Sequence, residues 1–487
     1  DRGHRDSRGE TTVSVPRQLP ITPVGRSPRY PAALWAAEAL LLQESPRLVE
    51  VHSLVILSMH TSPFIQPGAG DSGGMNVYIR ELSSRLARSG MECEVYTRAW
   101  SESLPATIVV EPGLRVHHVP AGPLAPVAKR ELPGLVDEFT EGVLTLIEVG
   151  VGNGTLMPPE VVHANYWLSG LAGHVIKHEM GIPLVSTFHT LARVKAMSLQ
   201  PGAGASGSGG VLREGAEDLV ASCSDAVLAS CDVEADQLVS LCGVDPSRVA
   251  VVTPGVDHAF FSPGYRPQAR SALGMNFDGP MLLFVGRIEP LKGVDIAVRS
   301  MSLLRGFPSA KLVIVGGPSG PEGDAEMLRI RALVTRLGIE HRVVFVPPQS
   351  HELLSTYYRA ADVCLVPSHT ESFGLVALEA AACGTPVIAT AVGGLQTLVD
   401  DGRTGFLVDV FECGSHVAGA QLRMRSPEAL ARDVASRAQA LLSDRLLGAQ
   451  MANDASLRAR EYSWSAAASR LSATYRSVSS ERLVQCG

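Results

Sequence analysis

From about residue 50 onward, short runs of β-branched residues alternate with longer stretches of helical periodicity. This order is typical of parallel strands, because a parallel connection must cross back over the sheet before the next strand begins. The predicted strands are 54–58, 92–97, 115–119, 161–164, 184–187, 226–229 and 249–252, then 282–285, 312–315, 343–346, 363–366, 387–389 and 406–408. We therefore predict an α/β fold with two Rossmann-like, doubly wound parallel-sheet domains that face each other across a cleft.

The alternation stops at 253–257 (TPGVD) and restarts at Met281. A chain of 487 residues is also too long for one hydrophobic core. We place an N-terminal domain at 50–257 and a C-terminal domain at 258–463, with a final helix at 464–480 that packs back on the first domain. Residues 1–49 are charged and Pro-rich and are predicted to be a disordered leader, and the Gly/Ser-rich segment 200–210 is predicted to be a mobile loop.

Composition excludes several classes of function. Lys and Arg number 42 against 49 Asp and Glu, and a net charge of −7 argues against binding nucleic acid through the overall field. No apolar run reaches the roughly 18 residues that span a bilayer, which excludes an integral membrane segment. The eight cysteines contain no CxxC, and the His and Cys spacings match no zinc site, so we expect reduced thiols in a cytoplasmic protein.

The first predicted strand leads into SMHTSPFIQPGAGDSGGMN, where 71–74 mark the turn between strand and helix. Glycines there let backbone N–H groups approach a phosphate, although a flexible turn is the alternative. Residues 71–74 (DSGG) contain no GxxxxGK[ST], which disfavours a P-loop enzyme, and we do not interpret them as a dinucleotide-binding fingerprint. His163 and His189 each lie at a strand end, where they face a shared pocket or serve as structural histidines.

Two motifs of the second half carry charge at strand ends. Arg287 and Lys292 in VGRIEPLKG could stabilise a departing diphosphate, although two solvated cations on a loop is the alternative for this motif alone. Glu371 and Glu379 in ESFGLVALE lie eight residues apart across a turn from strand to helix. Such a pair can hold sugar hydroxyls and a ribose diol by charge-assisted hydrogen bonds.

Together with GGPSGP and GTPVIATAVGG, these motifs resemble the retaining glycosyltransferases of the GT-B fold, family four, over residues 50–480. The motifs HTSPFIQPGAGDSGGMNVY, NYWLSG, FHTLARVK, KRELP and PPQSHEL resemble the members that transfer N-acetylglucosamine from UDP-GlcNAc to 1D-myo-inositol 3-phosphate, the first step of mycothiol biosynthesis. The resemblance also implies a cytoplasmic homodimer.

The resemblance implies three sets of site residues. The catalytic set is Arg287, Lys292, His60 and Glu371, and the donor set is Gln66, Pro67, Gly74, Arg287, Lys292, Glu371 and Glu379. The acceptor set is His60, Asp71, Ser72, Gly73, Gly74, Met75, Asn76, Lys129, Tyr166, Thr190 and Arg213. The chemistry requires no cofactor, and a structural Mg²⁺ is implied near Tyr358, Arg359, Ala361 and Thr385.

The implied mechanism is front-face transfer with retention, in which Arg287 and Lys292 stabilise the leaving UDP. Glu371 then binds a sugar hydroxyl instead of acting as a covalent nucleophile. The alternatives are another family-four transferase with a sucrose-phosphate-like or mannosyl product, a non-catalytic sugar-nucleotide-binding protein, and an NAD-dependent Rossmann enzyme.

Overall fold

A largely parallel sheet organises the first half of the chain. The computed structural model describes residues 50–65, 72–197, 208–319, 323–413 and 422–486. The strands of the first sheet are β1 (Ser53–Leu57), β2 (Glu92–Arg98), β3 (Thr107–Glu111), β4 (Leu114–Val119), β5 (Val161–Asn165), β6 (Leu184–Thr187), β7 (Ala226–Ala229) and β8 (Val249–Val251). Their order is β3-β4-β2-β1-β5-β6-β7-β8, and β3 alone among them runs antiparallel to its neighbour.

A second, entirely parallel sheet organises the remainder. Its strands are β9 (Met281–Val285), β10 (Lys311–Val315), β11 (Val343–Val346), β12 (Val363–Val366), β13 (Val387–Thr390) and β14 (Gly405–Val408), in the order β11-β10-β9-β12-β13-β14. A separate antiparallel pair is formed by β15 (Phe411–Cys413) and β16 (Leu422–Met424).

Helices connect the strands. Those of the first half are α1 (Gly74–Arg88), α2 (Val136–Gly152), α3 (Trp167–Met180), α4 (Ala192–Met197), α5 (Ser208–Cys223) and α6 (Asp232–Cys242). Those of the second half are α7 (Arg266–Ala272), α8 (Val294–Leu303), α9 (Gly323–Arg336), α10 (His351–Ala360), α11 (Leu375–Ala382), α12 (Leu395–Leu398), α13 (Pro427–Ser443), α14 (Arg445–Ala459) and α15 (Trp464–Ser480). Within the described ranges, no helix combines the length and apolar character that crossing a bilayer requires.

The predicted fold class is confirmed, because both sheets have the crossover connections of doubly wound α/β domains. The sequence analysis missed β3 and the β15–β16 pair. β3 is an edge strand whose side chains are mostly exposed, so it lacks the buried apolar signal that marked the other strands. The two strands of the pair are three residues each, which is too short for a pattern of period two to show.

The chain crosses from the first domain to the second at 252–257 and returns to the first domain at 460–463. Val256 bridges to Ser463 where the two passages meet. α15 then packs its apolar face against the first sheet's core, where Trp464, Leu471 and Tyr475 are buried beside α1. A Cβ on Gly255 would lie 2.1 Å from the backbone nitrogen of Trp464, so this crossing needs a residue without a side chain.

The expectation of reduced thiols throughout is wrong for one pair, since Cys223 and Cys486 form a disulfide. The two residues are 263 positions apart, and their Cα atoms are 5.1 Å apart. Spacing along the chain could not reveal this pairing, because it depends on where the residues after α15 lie in the folded chain. Five other described cysteines are free, namely Cys93, Cys231, Cys242, Cys364 and Cys383.

The crossing at Gly255 predicts a specific loss of stability. Gly255→Ala should lower the thermal unfolding temperature, because overpacking against a backbone atom costs roughly 1–3 kcal/mol. Gly215→Ala is the matched control: it lies in α5 with no atom within 4 Å of a Cβ and should stabilise by about 0.5–1 kcal/mol. Calorimetric scans of the two variants and the wild type decide the matter. An unchanged unfolding temperature for Gly255→Ala would contradict this account of the crossing.

Candidate active site

Tyr166 is the centre of a cationic cluster at the carboxyl end of β5. Its φ of +75° is rare for a residue other than glycine and turns the chain directly into α3. Lys129 Nζ lies 5.3 Å and the Arg213 guanidinium 4.9 Å from the centre of the Tyr166 ring. Burial raises the pKa of Tyr166, but the charges of Lys129 and Arg213 outweigh burial and hold it below the usual value. The cluster is therefore a region of strong positive potential.

His60 packs against Tyr166 with its ring centroid 4.4 Å away. Burial, and after it the charges of Lys129, His189, Arg213 and Arg287, lower the pKa of His60 well below its usual value. The imidazole is therefore neutral at pH 7. Its Nδ1 is buried without a hydrogen-bond partner among the described residues, which marks a position where a ligand group can bind.

Arg213 is held in place from two sides. It donates to the Thr190 hydroxyl at 3.0 Å and also to the Thr190 carbonyl, and it pairs with Glu217 at 2.7 Å. Lys195, in the short helix α4, is a further cation of this cluster that the sequence analysis did not select. Burial, and after it the charge of Lys129, lower its pKa. The signal for Lys195 was present in FHTLARVK, where it follows the selected Thr190 by five residues.

The turn before α1 meets the second domain. A Cβ on Gly73 would lie 3.3 Å from Nε of Arg287, and one on Gly74 would lie 3.5 Å from Leu375. Glycine here allows the two domains to approach each other closely. Ser72 donates to the Ile65 carbonyl at 3.2 Å, and Met75 is half-buried beside these residues.

Asn76 holds this turn together. Its amide donates to the Thr61 hydroxyl at 2.9 Å and to the Ser62 carbonyl at 2.7 Å, and its Oδ1 accepts from the Gly73 amide at 3.1 Å. The Asn76 side chain is thus engaged in shaping the loop. Gln66, Pro67 and Asp71 lie outside the described residues.

The two predicted donor cations both lie beside carboxylates. Arg287 pairs with Glu289 at 3.0 Å and donates to the Ser319 hydroxyl at 3.0 Å. Lys292 donates to Glu371 at 2.7 Å. Both cations remain about a quarter exposed, so a ligand can reach them. The structure therefore pairs Lys292 with Glu371, while Arg287 lies beside Glu289 and Ser319, and the roles of these residues in donor binding stay predictions.

The Glu371 loop depends on the glycines of GTPVIATAVGG. Gly393 has a φ of +47°, and a Cβ there would lie 1.7 Å from the Glu371 carbonyl oxygen. The Gly394 amide donates to the same carbonyl at 3.3 Å. This contact holds the loop that presents the Glu371 carboxylate.

Glu379 lies on the buried side of α11 with both carboxylate oxygens engaged. One lies 2.7 Å from His351 Nε2 and the other accepts from the Tyr358 hydroxyl at 2.8 Å. On the other side of His351, Nδ1 lies 3.3 Å from Arg80 of α1, which links the two domains. The sequence analysis quoted the motif that contains His351 but did not select it, because the partnership depends on the packing of α10 against α11.

His189 and His163 differ in their surroundings. His163 lies 2.8 Å from both the Tyr475 and the Thr187 hydroxyls and is a satisfied structural histidine. His189 has a positive φ of +61°, and its carbonyl accepts from the Ser372 hydroxyl of the second domain. Its Nε2 lies 2.9 Å from Asn165 Oδ1, and burial lowers its pKa to about 3. His189 is therefore a neutral residue at the domain junction.

Comparisons with known proteins identify the family of this chain. The family model for glycosyl transferases group 1 matches residues 266–439, and that for the glycosyl transferase 4-like domain matches residues 73–255. A D-inositol 3-phosphate glycosyltransferase from Actinosynnema mirum is 47% identical over 360 residues, which are 73% of this chain and 84% of that protein. D-inositol 3-phosphate glycosyltransferase 2 from Catenulispora acidiphila is 44% identical over 386 residues, 78% and 88% of the two chains. The chain belongs to the D-inositol 3-phosphate glycosyltransferase family.

Solved structures agree with the GT-B fold of this glycosyltransferase family. Sucrose-phosphate synthase from Thermosynechococcus elongatus superposes with a TM-score of 0.76 at 30% identity, over 88% of this chain and 98% of that one. HepE from Anabaena in complex with UDP and glucose superposes with a TM-score of 0.65 at 18% identity, over 88% and 100% of the chains, and supports the fold alone. The predicted resemblance and the predicted enzyme class are confirmed.

The magnesium position implied for the glycosyltransferase family was Tyr358, Arg359, Ala361 and Thr385. The Tyr358 carbonyl accepts from the Thr385 hydroxyl at 2.6 Å and from the Ala361 amide at 3.1 Å. Arg266 donates to the Ala361 carbonyl at 3.1 Å, so a guanidinium lies beside the oxygens that an ion would need. Magnesium requires several open oxygen ligands, which this arrangement does not offer. The residues do not fit the ion here, and its presence stays a prediction.

The buried pair of His351 and Glu379 predicts a pH-dependent stability. Burial lowers the pKa of His351, but the charge and hydrogen bond of Glu379 raise it above the usual value. A raised pKa in the folded state stabilises the fold below the unfolded pKa of about 6.5, and this stabilisation is lost as pH rises through the folded pKa. Wild type should therefore lose more thermal stability than His351→Gln between about pH 6 and pH 9. Identical pH profiles of unfolding temperature for the two proteins would contradict the ion pair.

Proposed function

We propose that the enzyme transfers N-acetylglucosamine from UDP-GlcNAc to 1D-myo-inositol 3-phosphate with retention of configuration, as the first step of mycothiol biosynthesis. The observation that carries the proposal is the cationic cluster of Lys129, Lys195 and Arg213 around Tyr166, which faces Arg287 across the Gly73 turn. Two separate groups of cations suit two separate anions, a phosphorylated acceptor and a nucleotide diphosphate.

The acceptor phosphate is assigned to the cluster around Tyr166. Lys129 and Arg213 both lie within about 5 Å of the Tyr166 ring centre, so their charges converge on a small volume. Neutral His60, with its unpartnered Nδ1, suits an uncharged hydroxyl of the inositol ring. The names of the relatives, which specify an inositol 3-phosphate acceptor, support this assignment.

The donor is assigned to the second domain. Arg287 and Lys292 stabilise the diphosphate as charge develops on it, and their neighbouring carboxylates hold them in position in the absence of substrate. Glu371 binds a hydroxyl of the sugar, and Glu379 binds the ribose diol after exchanging its contact with His351 or Tyr358. No covalent nucleophile is used.

In the proposed step, the bond between the anomeric carbon and the UDP oxygen breaks while the acceptor hydroxyl attacks from the same face. The departing phosphate oxygen takes the acceptor proton, so the products are UDP and the glycoside. The two cations of the donor site stabilise the transition state more than the ground state, since charge on the leaving group grows as the bond breaks. By family resemblance we further infer a homodimer that works in the cytoplasm.

The test of the whole proposal is a donor and acceptor screen. Purified enzyme is incubated with UDP-GlcNAc, UDP-glucose or GDP-mannose, each with inositol 3-phosphate, inositol or fructose 6-phosphate, and the products are identified by NMR. An α-linked glycoside from UDP-GlcNAc and inositol 3-phosphate supports the proposal. A preference for fructose 6-phosphate would instead indicate a sucrose-phosphate-like reaction, and a preference for GDP-mannose a mannosyltransferase. Absence of turnover with every pair would indicate a sugar-nucleotide-binding protein.

The donor cations have a kinetic prediction. Replacing either Arg287 or Lys292 by Ala should lower kcat/KM by about 10²-fold or more, because a partner of the leaving diphosphate is lost. Arg403→Ala is the control, since this side chain is 71% exposed on the same domain and should leave turnover unchanged. Near-normal turnover by both site variants would refute their role.

The acceptor cluster has a selectivity prediction. Inositol 3-phosphate should exceed inositol in kcat/KM by on the order of 10³-fold, because an unfilled phosphate pocket leaves its cations unpaired. Lys129→Ala should reduce this ratio by lowering kcat/KM for inositol 3-phosphate. Arg130→Ala, with a side chain that is 83% exposed, is the adjacent control and should leave the ratio unchanged. Equal kcat/KM for the two acceptors in wild type would refute the phosphate pocket.

A further inference from the structure

A cluster of two histidines and two cysteines lies in the first domain, on two of its helices and on the segment that follows α15. α3 supplies His174 and His178, which are four positions apart and therefore share one helix face, with ring centroids 4.8 Å apart. α5 ends at Cys223, and the residues after α15 bring Cys486 to the same place. None of these four residues belongs to the proposed acceptor or donor site.

The ligand atoms of the cluster are close together. His178 Nε2 lies 3.1 Å and His174 Nδ1 4.0 Å from Cys486 Sγ. One ligand atom from each of His174, Cys223 and Cys486 lies within 4.8 Å of the other two. Two imidazole nitrogens and two sulfurs are a donor set that Zn²⁺ favours in structural sites.

The position of Cys486 does not depend on the disulfide alone. Two residues before it, the Val484 amide donates to Asp225 at 2.7 Å. The same carboxylate accepts from the Leu184 amide at 2.7 Å and pairs with the buried Lys177 at 2.8 Å. Because Asp225 is held by α3 and β6, it fixes the end of the chain independently of Cys223. The two sulfurs would therefore stay near the histidines after reduction.

We propose that His174, His178, Cys223 and Cys486 form a redox-dependent site for Zn²⁺, which binds when the two cysteines are reduced and leaves when they form the disulfide. Zinc holds sulfur at about 2.3 Å and nitrogen at about 2.0–2.1 Å, so ligand atoms of a tetrahedral site lie roughly 3.3–3.8 Å apart. The nitrogen–sulfur separations of 3.1 and 4.0 Å are within about 0.5 Å of that range. His178 Nε2 contacts Cys486 Sγ but is not one of the three ligand atoms that all lie within 4.8 Å of one another. Zinc binding therefore needs a shift of the exposed His178 side chain, together with separation of the two sulfurs once their bond is broken.

The switch between the zinc-bound and disulfide states needs only one co-reactant, a low-molecular-weight disulfide that acts as the oxidant. In the reduced protein, two thiols lose two protons as they bind Zn²⁺. On oxidation, one thiolate attacks the small disulfide, and the second displaces the small thiol from the mixed disulfide. The two protein sulfurs lose two electrons, the small disulfide gains them and leaves as two thiols after taking up two protons, and Zn²⁺ is released.

This site joins three parts of the chain that the sequence separates. The disulfide ties the segment after α15 to α5, and bound zinc would tie it to both α3 and α5. α3 begins next to Tyr166, and α5 carries Arg213, so the link lies at the far ends of the two helices that build the cationic cluster. The sequence spacings matched no zinc site because Cys223 and Cys486 are 263 positions apart.

Zinc content of the full chain tests the proposal. The affinity tag is removed first, because added histidines would bind zinc, and the protein is reduced with a phosphine under anaerobic conditions. After Zn²⁺ is added and the excess is removed, we expect about one zinc per chain by elemental mass spectrometry. Treatment with oxidised glutathione should release the zinc and consume two thiols. Reduced wild type without stoichiometric zinc would indicate a simple structural disulfide and would overturn the proposal.

Variants locate the site. Cys486→Ser should weaken zinc binding at least about tenfold, measured by competition with a chromophoric chelator. His178→Ala should weaken zinc binding similarly while still allowing the disulfide. The His178 side chain is exposed, so its removal should not destabilise the fold. Cys242→Ser, a half-buried free cysteine elsewhere, is the control and should keep full zinc content. Co²⁺ should give a thiolate charge-transfer band in wild type that Cys486→Ser lacks. Wild-type zinc affinity in both site variants would overturn the assignment.

Discussion

Both faces of the central strands are covered by helices, so that every residue of β1 and β5 is buried and β9 is buried except at its last residue. Such strands tolerate few charged side chains, since a buried charge without a partner is costly. Charged and hydroxyl groups therefore concentrate where the strands end, at His60 after β1, Tyr166 after β5 and Arg287 after β9. β1 and β5 are parallel neighbours in one sheet, so their ends lie at the same edge, and Arg287 after β9 is close enough to that edge for its charge to lower the pKa of His60.

Several cations of the cleft are paired with carboxylates. Arg287, Lys292 and Arg213 each pair with a carboxylate within 3.0 Å, which lowers the cost of keeping cations close together. Lys129 and Lys195 add positive charge to the Tyr166 side. These positive charges lower the pKa values of His60 and Tyr166, although burial is the larger cause for His60. An anion entering the cleft would find its counter-charges already positioned.

The C-terminal segment connects the two domains to this site. The chain leaves the first domain at Gly255, returns beside it at Trp464, and packs α15 on α1. Tyr475 of α15 contacts His163 on β5, two residues before Asn165 at the end of the strand. The residues after α15 then meet α3 and α5. The scaffold of the cationic cluster is thus completed by the last residues of a chain that has passed through the other domain.

The alternation of buried strands and amphipathic helices was sufficient to predict the α/β fold, because parallel strands and their crossover helices each have a local signature in the sequence. Family motifs were sufficient to select Lys292 and Glu371, which the structure brings within hydrogen-bond distance of each other. Local sequence patterns could not reveal that His351 lies within hydrogen-bond distance of Glu379 or that Cys223 forms a disulfide with Cys486. Nor could they reveal that Lys195 is close enough to Lys129 for the charge of Lys129 to lower its pKa. Those relations join residues distant along the chain, and only the packing of helices and the return of the C-terminal segment determine which distant side chains come within bonding distance.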